Sequence, residues 1–160
     1  MKRHRGPFQG KTIEERLTVH RPTLWELAKR MGLDYGTPQI TLTDYPRTHN
    51  KGRYVGVTAK GNHRISIARS LPVGEADLVL CHELTHALQC QRFDRDPKAF
   101  AGQWVKEMRE AGITMKAIRS GAYSYDAYKS TPLEREAWEG AHRWYPVCES
   151  LGFVIRWRER

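Results

Sequence analysis

Apolar residues follow two different periods along this chain, and the changes of period outline its elements. Between residues 22 and 31, Leu24, Trp25, Leu27, Ala28 and Met31 recur at helical spacing and Gly32 is a natural stop, which predicts a helix. At 39–43, 53–58 and 63–68, β-branched and aromatic residues alternate with polar ones, with turn-rich segments between the runs. These predict three strands of a small, mostly antiparallel sheet. The stretch 74–90 is apolar almost all round, at Leu78, Val79, Leu80, Leu84, Ala87 and Leu88, which marks a buried helix. Glu75 and Asp77 fall in its first turn, where the helix dipole favours acids. A further helix is expected at 97–111, ending at Gly112. Another runs from Thr131-Pro132 to about residue 149, with Thr as N-cap and Pro at the first helical position. Residues 113–130 contain Tyr, Ser and Gly and read as a mobile excursion, and 153–157 as a last strand. A helix, then strands, then helices is an α+β order.

Composition bounds the class. With 160 residues, 39% hydrophobic and 28% charged, the chain has enough apolar material for a core. The expected organisation is a basic N-terminal arm at 1–12 and a single domain over 13–160. No run approaches the ~20 apolar residues of a membrane span. The first residues are basic, but Lys11, Glu14, Glu15 and Arg16 stand where a signal peptide would be apolar, so a cytoplasmic location is expected. Cys81, Cys90 and Cys148 are odd in number and form no CxxC pair. That argues against a disulfide framework and against a four-cysteine zinc site, and leaves them as packed thiols.

The chemistry lies in the buried helix. His82-Glu83-Leu84-Thr85-His86 is an HExxH motif. Residues four apart on a helix share a face, so both imidazoles can reach one Zn²⁺. Glu83 then projects beside the ion as a general base that takes a proton from the attacking water and hands it to the leaving group. Buried polar groups need partners, and a metal satisfies all three side chains at once. A catalytic zinc wants a third protein ligand. A histidine six residues beyond the motif would supply it in one known pattern, but that position is Arg92. Glu134 and Glu136, at the start of the 131–149 helix, are the better candidates. They face different ways, so only one of them can bind the ion. Glu134 also stands in a capping-box position relative to Thr131.

HELTHALQ followed by PLEREAW resembles the compact gluzincin-type zinc metallopeptidases of phage and bacteria. The resemblance covers residues 63–90 and 131–144. It implies a zincin-like fold, with a sheet packed on the HExxH helix and a C-terminal helix that brings in a glutamate ligand. It favours Glu134 as that ligand, with Glu136 the alternative, because Glu134-Arg135-Glu136-Ala137 matches the family frame. The frame is departed from at Trp138, where an Asp or Asn is expected to orient a ligand. The resemblance also implies that Gln89 belongs to an HExxHxxQ form; a helix-end hydrogen bond is its other reading. In folds of this kind the strand before the motif helix, here 63–68, is the sheet edge along which an extended peptide lies. Tyr123, Tyr125 and Tyr128 precede the ligand helix, and Tyr128 is the best placed to stabilise an oxyanion.

The leading expectation is therefore a zinc-dependent metallopeptidase acting on a protein or peptide substrate. An alternative is a basic nucleic-acid-binding module with a structural or vestigial zinc, since the net charge is +9. The loop at 47–60 mixes His49, Lys51, Arg53 and Tyr54, as phosphate-tracking surfaces do. A third reading is hydrolysis of a non-peptide bond, because the motif activates water without fixing its target. Charge by region weakens the nucleic-acid reading. Residues 1–30 hold eight Lys and Arg against three Glu, and 151–160 hold three Arg against one Glu. The basicity sits mostly at the ends, around a nearly balanced core.

Overall fold

The computed structural model describes residues 17–34, 36–44 and 51–158. The expected arm at 1–12, and residues 47–50 of the expected 47–60 basic loop, His49 among them, lie outside them. The described chain is α+β, with six helices and a small, mostly antiparallel set of strands. In order these are β1 (Leu17–Val19), α1 (Arg21–Met31), β2 (Gln39–Thr43), β3 (Gly52–Val57), β4 (His63–Ala68), α2 (Glu75–Arg92), α3 (Pro97–Glu110), α4 (Met115–Ser120), α5 (Tyr125–Ser130), α6 (Pro132–Ser150) and β5 (Ile155–Trp157). No described helix is long and apolar enough to cross a membrane.

One sheet has the order β2-β4-β3, with β4 parallel to β2 and antiparallel to β3. This corrects the placing of 63–68 at the sheet edge: β4 is the central strand. Its burial explains why, since His63, Ile65, Ile67 and Ala68 are all buried while β2 has no fully buried residue. The edge nearest α2 is β3, which bulges between Tyr54 and Gly56. A separate antiparallel ladder pairs β1 with β5, with Leu17 opposite Trp157. Sequence periodicity had given no sign of β1, which is three residues long.

The excursion expected at 113–130 is instead two short helices. Thr114 and Ser124 cap α4 and α5 by accepting from the backbone N–H groups of Ala117 and Ala127, and Gly121 closes α4 at φ +73°. Neither helix contains a fully buried residue, so there is no apolar stripe for periodicity to detect.

The core lies between the sheet and the pair α2·α6. Ile65 and Ile67 from β4 meet Leu80 and Leu84 from α2, and Ala141 and Cys148 close it from α6. Each large side chain buried there contributes about 1.5–3 kcal/mol. The two helices approach closely because Gly140 of α6 faces Thr85 of α2 without a side chain between them; a Cβ there would lie 2.2 Å from Thr85 Oγ1. Gly52 does the same for β3, where a Cβ would meet Val79 Cγ1 at 2.6 Å and Glu83 Cγ at 3.3 Å.

Two buried carboxylates tie elements together. Asp77 accepts the backbone N–H groups of Val154 and Ile155 at 2.7 and 2.8 Å, fastening β5 to α2. Its place in the first turn is therefore tertiary as well as dipolar. Glu107 of α3 accepts the Leu133 N–H at 2.7 Å and so caps α6 from outside. The capping box expected from Thr131 to Glu134 does not form: Thr131 Oγ1 donates to the Tyr128 carbonyl instead.

Candidate metal centre

Helix α2 places His82, Glu83 and His86 in the interior, and α6 brings Glu134 under them. His82 Nε2 stands 3.1 Å from Glu134 Oε2, and His86 Nε2 stands 3.1 Å from Glu134 Oε1. One ligand atom from each of the three residues fits within a 4.8 Å cluster. Glu134 is 1% exposed, a place where an ionised carboxylate is costly unless cations or donors surround it. Its pKa is nonetheless held below the usual carboxylate range: burial opposes ionisation, but the two imidazoles override it. His86 responds in kind. Burial disfavours its charge, yet the Glu134 carboxylate wins and the ring is pushed up to about 9.

The surroundings fix the donor atoms. Gln89 Nε2 donates to the Leu133 carbonyl and to Glu136 Oε1, at 2.9 and 2.8 Å, so its Oε1 faces His86 Nδ1, 2.7 Å away, as an acceptor. In its neutral, metal-binding form His86 therefore keeps its proton on Nδ1 and turns its Nε2 lone pair to the cluster; without a metal the charged ring holds Glu134 instead. Trp104 of α3 donates its indole N–H to Glu134 Oε1 at 3.0 Å. Glu134 Oε2, in contrast, is buried and receives no hydrogen bond. One oxygen takes the indole N–H and the other has only the His82 imidazole beside it, a donor set that fits a divalent ion. His82 is supported differently. Its Nδ1 is buried without a partner, and its ring packs on Trp138 at a 4.4 Å centroid distance. At the position where the family frame has a hydrogen-bonding side chain, this chain has a packing one.

Glu136 does not reach the imidazoles. It pairs with Arg92 at 2.6 Å and holds Gln89, so it belongs to the outer support of His86. Gln89 is thus a partner of His86, not a helix-end bond. Glu83 lies beside the cluster with its pKa raised, by burial first, against the pull of His86 and His82. Tyr128 lines the same cleft and is pushed well above the usual phenol range, by burial and then by the Glu134 and Glu83 carboxylates. Tyr123 also lines the cleft, whereas Tyr125 is 54% exposed and does not. Cys81, Cys90 and Cys148 are buried free thiols. Of the expected 47–60 basic loop, the described part gives Lys51 to a salt bridge with Glu75 and Arg53 to the cleft.

Sequence reasoning did not find Trp104 or Glu107. Their partners on α6 lie 30 and 26 residues away, beyond any local pattern. Comparison with protein-family models, with curated proteins and with solved structures finds no match for this chain.

Proposed function

We propose that this protein is a zinc-dependent metallopeptidase with His82, His86 and Glu134 as metal ligands and Glu83 as general base and acid. The observation that carries the reading is the convergence of two imidazole Nε2 atoms on a buried carboxylate with one oxygen free of hydrogen bonds. The arrangement of α2 over α6, with β3 alongside, is read as zincin-like. When bound, zinc would polarise both a water molecule and a substrate carbonyl.

The chain's own groups do the rest. Glu83, buried beside the cluster and raised in pKa, accepts the proton of the attacking water and delivers it to the leaving amine. Tyr128, a neutral phenol at any working pH, donates to the oxygen on which negative charge develops. Phe100 and Trp104 line the cleft beside these groups and offer a bound substrate an apolar wall. A cytoplasmic setting is part of the same proposal.

Native mass spectrometry of the purified protein should find one zinc per chain. Glu83→Gln should keep the metal and lose peptide hydrolysis by 10²-fold or more. Activity intact in that variant, or a metal-free wild type, refutes the reading.

A further inference from the structure

The cleft beside the metal centre has a cavity of about 680 Å³, within the range of specific ligand sites. Away from Glu83, His86 and Glu134 its lining is dominated by apolar and aromatic side chains, among them Phe100, Trp104, Met115 and Ile118. Among the described residues, two other charged ones line it, and both are arginines: Arg53 from β3 and Arg119 from α4. Both are exposed, and neither forms a salt bridge among the described residues. The flanking segment adds to this field. Residues 97–130 hold six Lys and Arg against three Asp and Glu, and one of those acids, Glu107, is buried and engaged with Leu133.

From this charge inventory, and resting on the peptidase reading above, we propose that the cleft selects polypeptide segments in which a large apolar side chain lies beside a carboxylate. The apolar wall takes the side chain and Arg53 and Arg119 take the carboxylate. Low-dielectric walls focus the field of the two guanidinium groups, and each offers a carboxylate a two-pronged, charge-assisted contact. A lysine or arginine in the same place finds no acidic partner in the lining except the two glutamates of the metal centre. The carboxylate has two sources, an Asp or Glu side chain or the free C-terminus of the substrate. The chemistry at the arginines is the same for both.

The test uses zinc-loaded Glu83→Gln protein, which holds substrate without turning it over, and four labelled peptides built around one Phe. Three are amidated and flanked by Glu, Gln or Lys; the fourth is the Gln peptide ending in a free acid directly after the Phe. Fluorescence anisotropy should rank the Glu peptide at least tenfold tighter than the Lys peptide, with the amidated Gln peptide between. Arg53→Glu/Arg119→Glu should reverse that order, with unchanged circular dichroism and zinc content certifying its fold. A free-acid peptide as tight as the Glu peptide identifies the chain end as a source of the carboxylate; one no tighter than its amide restricts recognition to side chains. Equal binding of the Glu and Lys peptides, no binding of any, or an order unchanged by the double reversal overturns the proposal. Wild-type kcat/KM on the same peptides separates the two readings. Cleavage without ranking sinks this inference alone, whereas ranking in the binding assay without cleavage by zinc-loaded wild type sinks the peptidase reading.

Discussion

Replacing Gly140 by alanine drives a methyl group into Thr85. The added carbon would lie 2.2 Å from Oγ1, 2.9 Å from Cγ2 and 3.0 Å from Cβ, where ordinary contact begins at 3.4 Å. Rotating Thr85 does not relieve the clash, because its Cβ is itself too close and both branches crowd the same space. The helices must separate by about 1 Å, or Thr85 must give up its 2.8 Å bond to the Cys81 carbonyl. Two terms of opposite sign compete. Alanine is favoured over glycine inside a helix by about 0.8–1 kcal/mol. Overpacking a buried contact costs about 1–3 kcal/mol, and a lost hydrogen bond about 1 more. The balance is a net loss of roughly 1–3 kcal/mol in urea unfolding. The position makes the effect more than a stability matter. Thr85 lies between His82 and His86, and Gly140 follows Glu134 by less than two turns on α6. Metal–ligand distances tolerate about 0.2 Å, so zinc affinity in a chelator competition should fall by roughly tenfold or more. Thr85→Ala in the Gly140→Ala background removes the two closest atoms and should restore most of both losses. A Gly140→Ala protein within about 0.5 kcal/mol of wild type and with full zinc affinity refutes the packing argument, as does a double variant that is no better than the single one.

Three other outcomes follow from the same geometry. Glu134→Gln should weaken zinc binding far more than Glu136→Gln, whose effect passes only through Gln89 and His86; the opposite result in a competition titration reassigns the ligand. Trp104→Phe keeps most of the ring and removes the donor to Glu134 Oε1, so calorimetry should record about a tenfold weaker zinc affinity, and the metal-free melting temperature should fall as well because the buried carboxylate loses the same donor there. In the metal-free protein, His86 is pushed up to about 9 from 6.5. Its contribution to stability is thus full below pH 6.5 and is lost as pH rises through about 9. Glu134 is lowered, so its contribution is lost as pH falls below 4.5. The metal-free melting temperature should peak between these limits and decline toward pH 9.5, a decline that bound zinc removes. A melting temperature that climbs from pH 6.5 to 9.5 contradicts the pairing.

The HExxH helix was legible because two independent signals coincide on it, an apolar pattern on nearly every face and a motif whose spacing matches one turn. The third carboxylate was legible only as a choice. Glu134 and Glu136 stand two residues apart on one helix, and what separates them is tertiary: the crossing at Gly140 aims one inward, while Arg92 and Gln89 claim the other. Strand order was not legible, since the direct parallel pairing of β2 with β4, which skips β3 in the sequence, leaves no local trace. The greater burial of β4 is what the run His-Arg-Ile-Ser-Ile-Ala encodes, and it reads in hindsight as a central strand. Helices α4 and α5 carried their caps in plain view at Thr114, Ser124 and Gly121, but offered no periodicity to go with them.

The ladder of β1 with β5 has a mechanical consequence. Because Leu17 is opposite Trp157, the outward-leading end of β1 and the outward-leading end of β5 lie at the same end of the ladder. Load applied across those two positions opens the pair rung by rung instead of shearing all its bonds together. That is the orientation of least resistance for a β ladder. The first firm obstacle would be the Asp77 carboxylate, which grips the two N–H groups at the start of β5 from the interior. Pulled at Leu17 and Trp157, the described residues would lose β1 at low force while α2 and α6, and the cluster between them, stayed assembled.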